Sequence, residues 1–340
     1  MENLYQNARK AREAGNVNQV LNCYKQILSN DPNSWEASFY LVYYTALQQY
    51  RNDKTGSAIA TVHDCIEDVM CLIRDHIQDE AEQKNAATEV ALQTDQICDI
   101  LYDQAKKEWR YYGENVIRPQ IGRGNNRQVD AMIDENNGMM HAREIAITKT
   151  YASLGFKVME IFWFDSELEK TGISMIDKAL ELIRIGTIQG GKNSRERKEL
   201  KRSYKNQVAS LREEAAKRRY NAYWIVHQPE KEALEAEKKS LNDQINTLNQ
   251  EISVIPENTE GYADMVELQK KVNNLSADKK ALGFFKFKDK KAIQIQIDAT
   301  KNEIAPIQAR INYAIGEVKK LISPLESRIK EIDTEFAKPR

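Results

Sequence analysis

The stretch GTIQGGKNS, Gly186 to Ser194, is the nearest this chain comes to a phosphate-binding loop. Gly186, Gly191 and Lys192 fill the glycine and lysine places of a G-x-x-x-x-G-K-[ST] pattern, but Asn193 stands where the hydroxyl belongs. Such a loop needs a buried strand ahead of it and a helix behind whose N-terminus points at the anion. The preceding ISMIDKALELIRI instead spaces Met175, Ile176, Ala179, Leu180 and Ile183 as a helix, so the glycines read as a helix–helix turn. His63, His76, His141 and His227 are scattered, and no H-E-x-x-H, G-x-S-x-G or paired-carboxylate arrangement accompanies them. His141 and Glu144 lie one helical turn apart and, in a chain so rich in glutamate, read as a surface pair. Cys23, Cys65, Cys71 and Cys98 form no C-x-x-C motif and read as small buried hydrophobes. The expectation is a chain without catalytic, cofactor-binding or metal-binding residues.

Charge offers a second kind of chemistry. KNSRERKELKRSYKNQVASLREEAAKRR, Lys192 to Arg219, holds 11 basic and 4 acidic residues, whereas residues 60–109 hold 12 acidic and 4 basic. Arg195, Lys198, Arg202 and Lys205 are the candidate contacts if the basic segment meets nucleic acid phosphates. The whole chain carries a net charge of -1, acidic residues interrupt the run, and no aromatic series accompanies it. These features argue against nucleic acid as the partner; pairing with the acidic segment of the same chain is the competing expectation.

The elements that position these groups are helical. Charged residues make up 30% of the 340 positions and hydrophobic ones 41%, with few Gly and Pro, which suits long helices with polar outer faces. From Leu4 to Leu47 the pattern alternates helix and turn: Ala8 and Ala11 share one face, Gly15 and Asn16 turn the chain, and Val20, Tyr24 and Ile27 line the next face. DPNS, Asp31 to Ser34, ends that helix and caps another at Trp35. This stretch resembles the tetratricopeptide repeat, with Ala8 in the close-packing place, Gly15 at the turn, Tyr24 at the aromatic place and Pro32 at the end. It departs from that pattern at Leu4, where a bulky Trp is expected, and at Val42, where a small residue is. RPQIGRGNNRQ, Arg118 to Gln128, reads as a flexible linker. The N-terminus lacks the apolar core of a signal peptide and no run of about 18 apolar residues occurs. A cytoplasmic chain is the expectation.

The last third has the strongest periodicity. Leu234, Leu241, Ile245, Leu248, Ile252 and Ile255 follow a coiled-coil seam, Pro256 to Tyr262 break it, and Met265, Leu268, Val272 and Leu275 resume it. The short break predicts that the second helix folds back on the first, with Ile252 near Met265 and Leu241 nearer Leu275. A third segment runs through Ile297, Ile304, Ile311, Val318, Leu325 and Ile332, and Pro306 and Pro324 should bend or interrupt it. Between the second and third segments, LGFFKFKDKKAIQIQI interleaves Phe284, Phe285 and Phe287 with lysines and reads as an aromatic hinge rather than a membrane contact.

The tetratricopeptide-like start, the basic helix and this hinge together resemble a loose group of uncharacterised bacterial helical proteins, some of which add a zinc ribbon; no ribbon cysteines are present here. The resemblance implies no activity. The predicted fold is all-α: irregular tetratricopeptide-like helix pairs followed by a long antiparallel coiled-coil hairpin. The predicted regions are 1–112 (repeat-like), 129–222 (helical, with the basic helix) and 223–340 (hairpin). The predicted function is a non-catalytic protein-interaction scaffold or spacer, with a protein partner and self-association through the coiled coil as its contacts. Trp35, Phe39, Tyr43, Phe284, Phe285 and Phe287 are the candidate interaction residues. The rivals are a nucleic-acid-associated protein using 192–219 and an enzyme whose site is too dispersed to recognise.

Overall fold

The computed structural model describes residues 1–122, 126–186, 191–283 and 286–339, apart from the side chains of 191–193. The fold is all-α, with no strand among the described residues. It divides into two compact units, Met1–Asn221 and Ala222–Arg340.

The first unit begins with helices α1 (Glu2–Glu13), α2 (Val17–Asn30), α3 (Trp35–Arg51), α4 (Thr55–His76) and α5 (Glu80–Tyr112). Local chemistry sets their ends. Gly15 turns the chain at φ +66°, a left-handed conformation that glycine adopts without steric cost, and Asn16 caps α2 by accepting from the Gln19 amide at 3.2 Å. Ser34 caps α3 through the Ala37 amide and also receives the Tyr5 hydroxyl at 2.6 Å, which ties α1 to the start of α3. Asp79 caps α5 in the same way, and Asp165 caps the later helix that begins at Ser166. Ala8 and Ala11 are buried against α2, where small side chains allow close approach.

After α5 the chain continues through a π-helical turn, Gly113–Ile117, and a short 3-10 turn, Arg118–Gln120. Part of the sequence-predicted linker, 123–125, lies outside the described residues. Helices α6 (Asn126–Ile161), α7 (Ser166–Ile185) and α8 (Gly191–Val226) follow. The sequence separates 1–112 from 129–222, but α6 packs on both α4 and α5, so residues 1–221 share one core. The α6–α7 crossing is very close. A Cβ added at Gly155 would sit 2.5 Å from the Gly172 carbonyl oxygen, and one added at Gly172 would sit 2.7 Å from that of Gly155.

The second unit contains α9 (Gln228–Asn258), α10 (Tyr262–Ala281) and α11 (Phe287–Ala337). The sequence-predicted seam positions are buried or half-buried throughout, with Val272, Ile297, Ile311 and Ile332 deepest. Their pairing differs from the sequence expectation. α11 packs against both α9 and α10, which scarcely touch each other. Lys238 pairs with Asp333, Glu237 with Arg328, Glu260 with Arg310 and Lys279 with Gln294. From Lys238 to Lys279 one arm advances 41 residues while the other retreats 39, from Asp333 to Gln294. One antiparallel register therefore serves the whole length, and α9 and α10 follow each other in series. The break falls at Thr259–Gly261, after Pro256 rather than at it, with Gly261 at φ +82° against Ile307.

Pro306 and Pro324 do not interrupt α11, which is continuous through both. Each proline is exposed, so the carbonyl it leaves unpaired one turn earlier faces water, while Ile307, Ile311 and Ile322 stay packed. Spin labels give a direct check on the pairing. Labels at Ile252 and Met265 should lie roughly 20 Å apart, from about 1.5 Å of rise per residue, whereas labels at Glu260 and Arg310 should be close. The opposite ranking would restore the pairing of α9 with α10.

Candidate functional site

A concave surface of about 630 Å³ opens where α1, α3 and α5 meet. That volume lies within the ~300–1,000 Å³ range of ligand clefts. Its floor is a network of charged and phenolic groups. Glu36, buried in the first turn of α3, accepts two hydrogen bonds from Arg9, at 3.1 Å from Nε and 2.6 Å from Nη2. The Tyr24 hydroxyl donates to the same carboxylate at 2.9 Å. Arg12 donates to the Tyr40 hydroxyl at 2.6 Å and to Glu89 of α5 at 3.1 Å, and its guanidinium lies 3.4 Å from the Tyr40 ring centroid. Tyr40 in turn donates to Glu89. Four helices are joined by this one network.

The electrostatics keep the phenols of this surface in their hydrogen-bonding form. Burial raises the Tyr24, Tyr40, Tyr43 and Tyr44 phenols above their ordinary value, and for Tyr40 the bond to Glu89 adds to it. These tyrosines stay protonated as donors across the biological pH range. The Arg9 guanidinium is held still more firmly in its charged form by its bonds to Glu36. Both arginines are neutralised by carboxylates already present, so the groove does not offer a free cation pair. Trp35, Tyr44, Gln93 and Gln96 also line it, with the buried Tyr43 beneath. Rings and amides of this kind suit the backbone groups and side chains of a polypeptide.

Of the sequence-predicted interaction residues, Trp35 and Tyr43 line this groove, whereas Phe39 is 1% exposed and belongs to the core. Phe287 is exposed at the start of α11; Phe284 and Phe285 lie outside the described residues. Arg195, Lys198, Arg202 and Lys205 are exposed along α8. Sequence reasoning missed Arg9, Arg12, Glu36, Tyr40 and Glu89 as a set. A usable signal was present, because Arg12 sits four residues after Ala8 and so continues the buried stripe of α1.

The His141–Glu144 pair is not on the surface. His141 and Glu144 are buried, and Arg197 of α8 enters between them, ion-paired with Glu144. Arg197 Nη1 also donates to the Leu182 and Ile183 carbonyls at 3.1 and 3.3 Å, covering the C-terminal end of α7. The His141 Nε2 lies 2.9 Å from Glu196, and its Nδ1 faces Arg197 at 3.5 Å. This cluster also accounts for the first glycine of the GTIQGGKNS stretch: a Cβ at Gly186 would collide with the Arg197 guanidinium. The approach to Gly186 is helix α7; residues 187–190 and the side chains of Gly191, Lys192 and Asn193 lie outside the described residues. Among the described residues no group of three or more His, Cys, Asp or Glu could hold a metal ion, and no helix is long and apolar enough to cross a membrane.

Comparison of the chain with known protein families, curated proteins and solved structures returns no match.

Proposed function

We propose that this protein is a non-catalytic interaction scaffold whose tetratricopeptide-like helix pairs, within 1–112, hold a polypeptide partner in the α1–α3–α5 groove. The observation that supports this reading is the groove's chemistry: protonated tyrosines and amides over a floor whose charges already neutralise one another. A reactive site would need a nucleophile beside a base, and the groove's polar groups are instead tied to each other. The intervening region 129–222 supports the helix pairs. In the same reading, region 223–340 is an antiparallel coiled-coil hairpin acting as a spacer, with α11 zipped against α9 and α10, and it offers a surface for a protein partner or a second copy. The four unpaired thiols suit a reducing, cytoplasmic setting. The resemblance to the loose bacterial helical group enters as the architectural side of the proposal and brings no activity with it.

The test is selection of peptides from a displayed random library on the immobilised full-length chain, followed by titration of the selected peptides. Tyr44→Ala combined with Gln93→Ala should weaken binding at least tenfold, about 1.4 kcal/mol, and leave the helical melting curve unchanged. Peptides whose affinity ignores the double substitution would place the partner elsewhere, and failure to select any peptide would remove the reading.

A further inference from the structure

Helix α8 segregates its charges. At 3.6 residues per turn, Lys198, Lys201, Arg202 and Lys205 occupy the i, i+3, i+4 and i+7 places of one face, within an arc of about 100°. All are exposed, and no described residue forms an ion pair with them. The other described cations of the helix are committed: Arg195 to Glu199, Arg197 to Glu144, Arg212 and Arg219 to Glu169, Lys217 to Glu213 and Arg218 to Glu214. Three carboxylates of the acidic segment that the sequence offers as their counterweight are engaged elsewhere. Glu67 pairs with Lys157, Asp95 with Lys178 and Glu108 with Arg143, all on α6 or α7.

We infer that this face of α8 binds the phosphodiester backbone of a double-stranded nucleic acid without reading its sequence, an activity separate from the peptide groove. Three partners could satisfy a row of uncompensated cations, and the surroundings discriminate among them. A bilayer surface requires an apolar helix face to insert, and the apolar face of α8, formed by Leu200, Tyr204, Val208 and Leu211, is packed on the core. An acidic protein requires an aromatic or aliphatic anchor beside the charges. The exposed positions between and just beyond these cations, Glu199, Ser203, Asn206 and Ala209, supply none. A duplex requires neither. It presents one charge per about 1.7 Å of its axis, and the four cations span roughly 10 Å of helix. No exposed aromatic ring stands among them to stack on bases, so affinity comes from the phosphates.

Counter-ion release makes the inference quantitative. Four neutralised phosphates give a slope of about -3.6 in log affinity against log salt. Affinity therefore falls roughly 100-fold between about 50 and 200 mM salt. The experiment is fluorescence polarisation of the full chain with labelled mixed-sequence DNA and RNA duplexes of about two helical turns, repeated over that salt range. Binding of either duplex with this slope, unchanged when the sequence is scrambled, is the expected result. Each single exchange to Gln at Lys198, Lys201, Arg202 or Lys205 should reduce the slope by about one, and the quadruple exchange should abolish binding while the melting curve stays put. Absence of binding to both duplexes at the low-salt end overturns the inference. So does binding that survives the quadruple exchange, or capture of polyglutamate or phosphatidylserine vesicles in place of either duplex.

Discussion

Gly155→Val should destabilise the first unit by about 3 kcal/mol, the upper end of the usual cost of overpacking a core. Two effects oppose each other at this position. Glycine inside a helix costs about 1 kcal/mol relative to alanine, so any side chain gains something in helix propensity. The new Cβ, however, would lie 2.5 Å from the Gly172 carbonyl oxygen and 2.6 Å from Ile176. The first of these is backbone and cannot rotate away, so α6 and α7 must separate and the clash wins. Gly138, in the same helix, is the control: a Cβ there meets nothing within 4 Å. Gly138→Ala should therefore stabilise by up to about 1 kcal/mol. Hydrogen exchange of α6 and α7 amides in denaturant would separate the two signs. Equal protection in Gly155→Val and the parent chain would show that the helices do not cross at these glycines.

Arg197→Met should cost about 3–5 kcal/mol, because it removes the guanidinium that balances the charge of the buried Glu144 carboxylate. Glu144→Leu should cost a similar amount by stranding the guanidinium. The double variant should lose far less than the sum, since an apolar pair of similar size replaces a desolvated ion pair at little net cost. What it does not recover is the pair of bonds from Arg197 to the Leu182 and Ile183 carbonyls, each worth about 1 kcal/mol. A thermodynamic cycle on urea melts, read by exchange of the α7 and α8 amides, isolates the coupling. Additive losses would mean that the two side chains contribute separately and that α8 is not held by this ion pair.

These two variants mark the boundary of what the sequence shows. Local chemistry was readable: Gly15 and Ser34 announce their turn and cap because the residues they serve are within three positions. Seam positions on α9, α10 and α11 were readable from their spacing alone. Long-range pairing was not. Glu144 and Arg197 are 53 residues apart, and nothing local distinguishes a buried glutamate from the many exposed ones. Gly155 and Gly172 lie inside regular helical patterns, where their cost could have flagged a close crossing but not its partner. The same limit explains the misplaced pairing in the second unit, where a heptad seam names the face that is covered and leaves open which helix covers it. In the groove, Trp35 and Tyr43 were legible as large aromatics, whereas the Arg9–Glu36–Arg12–Glu89 network exists only once α1, α3 and α5 converge.

The single register of the second unit has a kinetic consequence. Contacts nearest the turn between α10 and α11 join residues close in sequence, with Lys279 and Gln294 only 15 apart, whereas Glu237 and Arg328 are 91 apart. The entropy lost on closing a loop grows with its length, so pairing should begin at that turn and propagate outward, each step shortening the next loop to be closed. Proximal contacts of α9 can form only after nearly all of α11 has left the ribosome. A chain stalled before Leu325 would hold a finished tip and an open base, exposing Leu234 and Leu241 to whatever apolar surface is nearby.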